Sequence, residues 1–399
     1  MADDPAAHTG LRETNHEEVR RALIALNMVH EDRGLVCAVA QRLRAERDLA
    51  CDRFASQAAG SLEAPLDKVR ETLRAARCCL GSVADENAKA QEAGATIVTL
   101  VDAGYPSALA DLGLHAPPVL YIRGQLDAGP GLAIVGSRKA DAYGLEVATW
   151  FARRLAAAGL TIISGFARGI DQAAHRAALS ARAGTGRTAA VLGCGLDVDY
   201  PRNSRRTAAE IARRGSLITE FPLGWQPRPW HFPIRNRIIA ALGFASIVVR
   251  AASRSGSLIT ARLALDLGRE VYAVPGSVLS RESAGAHLLL RDGAIPALDP
   301  DALLETLPTA VLEGLESRAP ERSTADAGGQ PGLDTAKATS TATEVDELLV
   351  ALRNGARTPE ELASRLRLPI PGVLATLARL EVDGLVRRYD GAHYALMTR

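Results

Sequence analysis

Five loops in the middle of the chain gather the residues whose types and spacing could do chemistry, and that chemistry is the holding of anions. In AIVGSRKADAYG, Gly136 lets the backbone turn tightly and approach a ligand, and Ser137 can donate a hydroxyl hydrogen bond. Arg138 adds a planar donor fork suited to phosphate, and Lys139 a more flexible charge. The helix that follows would aim unpaired N–H groups and its positive dipole end at the same point. In ISGFARGIDQAAHRAAL, Gly165 and Gly169 flank Phe166 and Arg168, so Arg168 stands near Arg138 if both strands end at one sheet edge. Asp171 and His175, four residues apart on the next helix, read as a helix-surface pair. In VLGCGLDVDYP, Cys194 lies between Gly193 and Gly195 with no local base to activate it, and reads as packing.

The densest cluster is LITEFPLGWQPRPWHFPIRNRIIAAL, which holds Glu220, Trp225, Arg228, Trp230, His231, Phe232, Arg235, Asn236 and Arg237 in a chain only 4% aromatic. Two readings stand here. Aromatics among arginines suit stacking on unpaired bases with neutralisation of the backbone, the single-strand mode. Alternatively, Pro222, Pro227, Pro229 and Pro233 shape a rigid loop whose aromatics cover the end of a sheet. The last loop, SGSLITARLALDLGREVYAVPGS, brings Ser255, Gly256 and Ser257 to a helix that Thr260 begins, with Leu258 and Ile259 facing the core. A GxGxxG fingerprint is missing, so a nicotinamide or flavin is not supported and no cofactor is expected. A nuclease would need carboxylates clustered around Mg²⁺; Asp171, Asp197, Asp199 and Glu220 are available, but each has an arginine nearby as an ion-pair partner.

Charge distribution agrees with an anionic partner. The whole chain of 399 residues carries a net charge of only +1, yet residues 131–297 hold 22 Arg and Lys against 11 Asp and Glu. That segment is therefore +11 and the remainder −10, which suits nucleic acid or a phosphorylated ligand, or else a solvated arginine-rich surface. The longest nearly unbroken apolar run, residues 238–249, is too short to span a bilayer, and the acidic, polar N-terminus MADDPAAHTG is no secretory signal. A cytoplasmic protein is expected, with its five cysteines reduced and no zinc site.

The elements that position these loops follow from periodicity. Helical apolar spacing within residues 17–92, as in Val19, Leu23, Leu26 and Val69, Leu73, Ala76, predicts a small all-helical unit over residues 1–93. Strands are expected at 95–101 and 119–123, and short apolar runs at 132–135, 160–163, 189–192, 217–218, 245–249 and 270–274 alternate with helices. Little alternation within these runs marks strands covered on both faces. This order predicts an α/β core over 94–307, a doubly wound, mostly parallel sheet whose loops converge on one crevice. Residues 308–342, rich in Pro, Ser, Thr, Ala and Gly, read as a flexible linker. In residues 343–399 three helices, the second opened by Thr358 and Pro359 with Glu361 in capping-box position, precede a hairpin turning at Asp390 and Gly391. That is a winged-helix order, but only Arg379, Arg387 and Arg388 are placed to meet DNA, so a protein-contact or structural role is favoured.

Taken together, the GSR turn, SGFARGID, LGCGLDVDYP, TEFPLG with FPIRNRII, SGSLITA and GREVYAVPG resemble the DprA family, also called Smf, of DNA-processing proteins of bacterial transformation. The resemblance runs through residues 94–298 in the same order. It implies a Rossmann-like core that binds single-stranded DNA, forms a homodimer and loads the RecA recombinase onto strands otherwise covered by single-strand binding protein, with no catalysis. By motif match it implies strand binding by Gly136, Ser137, Arg138 and Arg168, with Lys139, Gly165, Phe166 and Gly169 in the same loops. The same role is extended to Arg235, Asn236, Arg237, Ser255, Gly256 and Ser257. The N-terminal helices take the place of a sterile-alpha-motif-like domain, although NMVHEDRG at 27–34 is not the glycine-rich hairpin expected there. Arg250 stands where an acidic residue is expected and His287 where an Asn is. The competing enzyme is a nucleotide-cleaving phosphoribohydrolase of the lysine-decarboxylase-like family. Its catalytic Glu would follow the helix-starting Thr, but Thr260 is followed by Ala261, Arg262 and Leu263.

Overall fold

The apolar runs of the middle segment form parallel strands with both faces covered, because a crossover helix follows nearly every strand and must pack back onto the sheet. A computed structural model describes residues 5–29, 33–46, 65–127, 129–181, 186–316, 348, 352, 358–366, 373–374, 376–377, 380–381, 386–389 and 393–396. The chain divides into two compact units, Met1–Ala319 and Pro320–Arg399.

The first unit opens with helices α1 (Pro5–Asn27), α2 (Arg33–Glu46), α3 (Leu66–Cys79) and α4 (Val83–Glu92). Strands β1 (Ala95–Thr99) and β2 (Val119–Gly124) follow, then β3 (Gly131–Val135), α5 (Ala142–Ala157), β4 (Thr161–Ser164), α6 (Ile170–Ser180) and β5 (Arg187–Val191). Next come α7 (Arg205–Arg214), β6 (Ser216–Thr219), α8 (His231–Leu242), β7 (Ala245–Val248), α9 (Ser257–Asp266) and β8 (Glu270–Ala273). The unit closes with α10 (Ala284–Arg291), β9 (Ile295–Pro296), α11 (Pro300–Glu305) and α12 (Thr309–Glu316). The strands make one nine-stranded sheet in the order β1-β2-β6-β5-β4-β3-β7-β8-β9, parallel from β6 to β9, with β2 antiparallel to β6 and β1 antiparallel to β2. This is the doubly wound α/β architecture expected from the sequence.

Helices α5 and α6 pack Phe151, Leu155, Ala174 and Ala178 against Leu132, Ile134 and Ile162 on one face of the sheet. On the other face α8 and α9 set Ile238, Ile239, Leu258 and Ala261 against Ala133, Val135, Ile163 and Val191. The N-terminal helices do not stand apart: Leu23, Leu26, Val69 and Leu73 share one apolar cluster with Tyr121, Leu192 and Leu217. The linker expected from residue 308 does not begin there, since α12 occupies Thr309–Glu316 and buries Val311 in the sheet's cluster; the remainder of that expectation lies outside the described residues.

A polar knot fastens the helices to the sheet. Glu220, just past β6 and wholly buried, accepts hydrogen bonds from Arg237 at 2.5 and 2.8 Å, and Arg33 approaches the same carboxylate at 3.4 Å. Arg33 also donates to the Asn27 carbonyl at 2.9 Å, while Asn27 Nδ2 donates to the Glu220 carbonyl oxygen at 3.0 Å. Burial would raise the Glu220 pKa, but Arg237 and Arg33 more than offset it and hold the carboxyl below the usual range.

In the second unit Thr358 and Glu361 form the reciprocal capping box expected, each backbone N–H donating to the other's side chain at 3.3 Å, at the start of α13 (Pro359–Leu366). Strands β10 (Val386–Tyr389) and β11 (His393–Leu396) pair antiparallel as the predicted hairpin, over a small core of Leu348, Leu362, Leu377 and Tyr394. Asp390, Gly391 and Arg379 lie outside the described residues.

Removing one partner of a buried ion pair strands the other, so Glu220→Gln is expected to cost about 3–5 kcal/mol in urea unfolding of the whole protein. Because the folded carboxyl has a depressed pKa, its contribution is complete above the unfolded value of about 4.3 and is lost as the pH falls below it. The acid-induced loss of stability should therefore be shallower in the Gln variant.

Candidate nucleic-acid interface

Strand β3 sits between β4 and β7, so the chain winds outward from it in both directions. The loops leaving β3 and β7 therefore part at the carboxyl edge, which is where an open α/β sheet makes its binding crevice. A cavity of about 730 Å³ opens there. Its walls are Gly136 to Lys139 after β3, Ala252 and Arg254 to Ser257 after β7, Phe232, Arg235 and Asn236 from α8, and Tyr200, Arg228 and Glu282 at the rim.

The β3 and β4 loops interlock. A side chain on Gly136 would come within 2.6 Å of Ile170, and the Ile170 N–H donates to the Ser137 carbonyl at 3.2 Å. Gly169 has a φ of +82°, and a Cβ there would overlap the Ser137 carbonyl oxygen, so only glycine allows this approach. Arg138 and Lys139 are exposed beside it, the Arg138 guanidinium 4.7 Å from the centre of the Phe232 ring. Arg168 is exposed on the loop that Gly169 presses against the Ser137–Arg138 backbone. Parallel pairing of β3 with β4 thus satisfies the condition for these cations to share one edge.

Several expected ligands do other work. Gly165 and Phe166 are buried beneath the crevice; a Cβ on Gly165 would meet Arg235 at 2.6 Å, and the Phe166 ring lies 5.8 Å from that of His175. Arg235 lines the crevice but is 3% exposed, donating to the carbonyls of Gly165 (2.6 Å) and Val191, which makes it the crevice floor. Burial lowers its pKa to about 10, with Asp171 opposing and Arg138 reinforcing the shift. Arg237, two residues on, points away from the crevice into the Glu220 knot and donates to the His115 carbonyl at 2.8 Å. Alternate neighbours on one helix face different ways, and Arg237 is therefore corrected from strand contact to structural tie. Asn236 does reach the crevice, where its amide holds the Gly256 carbonyl at 3.2 Å.

Asp171 and His175 form no surface pair, because the α6 face that carries both is turned to the sheet and buried. Asp171 accepts the Ala167 N–H at 3.2 Å, and His175 bonds Thr188 Oγ1 at 2.6 Å, its pKa lowered by burial to about 3. The four carboxylates weighed as metal ligands are engaged separately. Asp197 accepts the Gly224 N–H at 2.8 Å, and Asp199 the N–H groups of Asn203 and Ser204 at 3.2 Å. Cys194 is buried, and burial pushes its thiol up to about 12, which leaves no thiolate at neutral pH.

The aromatic cluster splits between its two readings. Phe221 stacks on His231 at 4.1 Å with Trp225 6.1 Å from His231, and Arg33 lies 5.9 Å from Phe221, a stack that covers the sheet end. Phe232, with Tyr200 5.3 Å away, instead faces the crevice, and Trp230 is 42% exposed nearby in the chain. Helix α9 begins at Ser257 rather than Thr260, and Ile259 lines the crevice instead of facing the core. The first turn of α9 is closed locally: the Leu258 and Ile259 N–H groups donate to the carbonyls of Ser255 (3.1 Å) and Gly256 (3.2 Å), and the Ser257 N–H approaches Ser255 Oγ at 3.4 Å. The N-terminus of α5 differs, for Asp141 accepts the Gly144 N–H there at 2.9 Å. Arg250 pairs with Asp141 and donates to Ser280 and Ser283, which explains a cation at a position where an acid was expected. His287 Nε2 lies 3.1 Å from the Gly276 carbonyl oxygen.

Sequence reasoning missed Asp141, Tyr200 and Arg254. Aspartate before a run such as AYGLEVATW is a visible helix-cap signal; Tyr200 and Arg254 reach the crevice only through the fold.

The arrangement is a concave, cationic cleft with an aromatic ring and serine hydroxyls on its walls. The family described as DNA recombination-mediator protein A matches residues 96–308, and the DprA winged helix domain matches residues 333–392. Protein Smf of Escherichia coli (strain K12) is 40% identical over 283 residues, 70% of this chain and 72% of that protein. DNA processing protein DprA of Bacillus subtilis (strain 168) is 37% identical over 221 residues, 55% of this chain and 73% of that protein. The X-ray structure of DNA processing protein A from Streptococcus pneumoniae matches with a TM-score of 0.63 at 31% identity, covering 72% of this chain and 98% of that one.

Gly169→Ala should force the β3 and β4 loops apart. A loss of at least about 1 kcal/mol in thermal or urea unfolding is expected from the positive φ alone. Amide exchange at Ile170 should rise in parallel, and an unaltered exchange rate would contradict the interlock.

Proposed function

This chain belongs to the DNA recombination-mediator protein A family, and from that membership we propose that its crevice binds single-stranded DNA. The strand would be protected and presented to the RecA recombinase, in exchange with single-strand binding protein, without being chemically altered. The observation that carries this reading is Arg138 lying over Phe232 at the crevice mouth. Resting on that ring, the planar Arg138 guanidinium is held as a phosphate donor whose outer face can stack on a base, and only an unpaired base offers a face to it.

The remaining groups fit roles of the same kind. Lys139, Arg168 and Arg254 supply further exposed charge, while Ser137, Ser255, Gly256 and Ser257 offer neutral donors. Asn236 and Arg235 shape the walls from behind. A hydrolytic reading finds less support, since Ser255 and Ser257 bond each other at 2.8 Å and the buried Cys194 has its thiol pushed up. No described helix is long and apolar enough to cross a membrane.

We further propose a two-fold homodimer through the late core. Ile295 on the edge strand β9 is 40% exposed and Leu298 just after it 69%, an apolar edge suited to a self-complementary contact.

Arg138→Ala is expected to weaken binding of an oligothymidylate about ten- to a hundredfold, judged as the loss of one charge-assisted contact. The slope of log affinity against log salt should fall by roughly 0.7, one phosphate on a single strand. Fluorescence anisotropy across a salt series reads both, and an unchanged slope would remove Arg138 from the interface. For the dimer, light scattering that found a concentration-independent monomer would count against the β9 edge.

A further inference from the structure

The cationic surface does not stop at the crevice. Tyr200, whose ring packs beside Phe232, lines the rim, and the chain runs from it within a few residues into α7. Asp199 fixes that turn by accepting the N–H groups of Asn203 and Ser204 and the Ser204 hydroxyl at 3.2–3.3 Å. Ile211, fully buried, anchors α7 on the sheet, which leaves Arg202, Arg205, Arg206 and Arg213 exposed.

These four cations are poorly compensated. Arg205 approaches Asp199 at 3.9 Å with its side chain 82% exposed. Among the described residues Arg202, Arg206 and Arg213 make no ion pair, and Glu210 is the one exposed carboxylate of the helix. Arg214 is different in kind, turned inward to the carbonyls of Leu179 and Gly186. A row of like charges repels itself and gains nothing for the fold, but it attracts a polyanion that follows its length. No aromatic ring stands on α7, so the row can hold a backbone without reading bases.

We infer that α7 is a second, sequence-independent binding track for the same DNA strand, carrying its sugar-phosphate backbone out of the crevice past Tyr200. The inference rests on the crevice being the primary strand site. Ten residues of α7 rise about 15 Å, enough for roughly four phosphates at stacked spacing. The α7 track therefore takes the part of a strand that is too long for the crevice alone.

The test compares two oligothymidylates, one of about six nucleotides and one of about fifteen, within the range of single-strand site sizes. In the full-length protein, Arg202→Ser/Arg206→Ser/Arg213→Ser should leave the short strand's affinity unchanged. The same variant should weaken the long strand about tenfold or more and lower its salt slope by roughly 2, three phosphates' worth. Glu210→Gln should act oppositely and tighten the long strand alone. Equal affinities of the triple variant and the wild type for the long strand would overturn the track while leaving the crevice reading intact. So would loss of binding to an acidic peptide with both DNA affinities kept, which would make α7 a protein-docking surface. Failure of the wild type to bind either strand would overturn the crevice reading and the track together.

Discussion

A carboxylate with no access to water holds this molecule in register. Glu220 sits at the end of β6 between two guanidinium groups, one from α8 and one from the start of α2. A buried charge of this kind is costly unless its partners are fixed, and so it dictates where they stand. Arg237 is drawn to one side of α8, which leaves the opposite side of the helix's first turns, with Phe232, Arg235 and Asn236, at the crevice. The same carboxylate ties α1 and α2 to the sheet through Asn27 and Arg33. Where the expected glycine-rich hairpin is missing from the sequence, Asn27 and Arg33 are instead ties between the helices and Glu220.

The arginines divide accordingly into two populations. Arg33, Arg235, Arg237 and Arg250 are buried and engaged with carboxylates or carbonyl oxygens, where they set the angle of helices and the depth of loops. Arg138, Arg168, Arg202, Arg206, Arg213 and Arg254 are exposed. A net positive charge over residues 131–297 counts buried and exposed arginines of that segment alike, but only the exposed ones are free to meet an anion. The mechanical role of the first is what gives the second its geometry, since the Arg235 floor supports the Gly165 loop and Arg250 closes the cap of α5.

The crevice is built by close backbone approach more than by side chains. Gly136 and Gly169 let two loops meet at the carboxyl edge, and Ser255, Gly256 and Ser257 line the crevice beside them. Such a surface offers hydrogen bonds and charge to phosphate without the demand for one base that a rigid side-chain pocket would make. Phe232 backs the Arg138 guanidinium, whose plane is equally tolerant of sequence.

Much of this was legible in the chain itself. Short non-alternating apolar runs separated by helices determined a parallel, doubly wound sheet, because strands covered on both faces must be apolar throughout. The glycine-flanked loops after β3 and β4 and the Ser-Gly-Ser before α9 marked the crevice, since each sits where a strand hands over to a helix. Thr358 and Glu361 marked their own capping box by local spacing alone. What sequence could not settle was direction. Arg235 and Arg237 are two residues apart in the same motif, yet one floors the crevice and the other neutralises Glu220 on the far side. Trp225 and Phe232 belong to one aromatic run, yet one stacks inward and the other outward. Local periodicity determines which residues share an element. Which partner a side chain meets depends on groups distant in the chain, such as Asn27 and Arg33 at Glu220, and only tertiary packing brings those together.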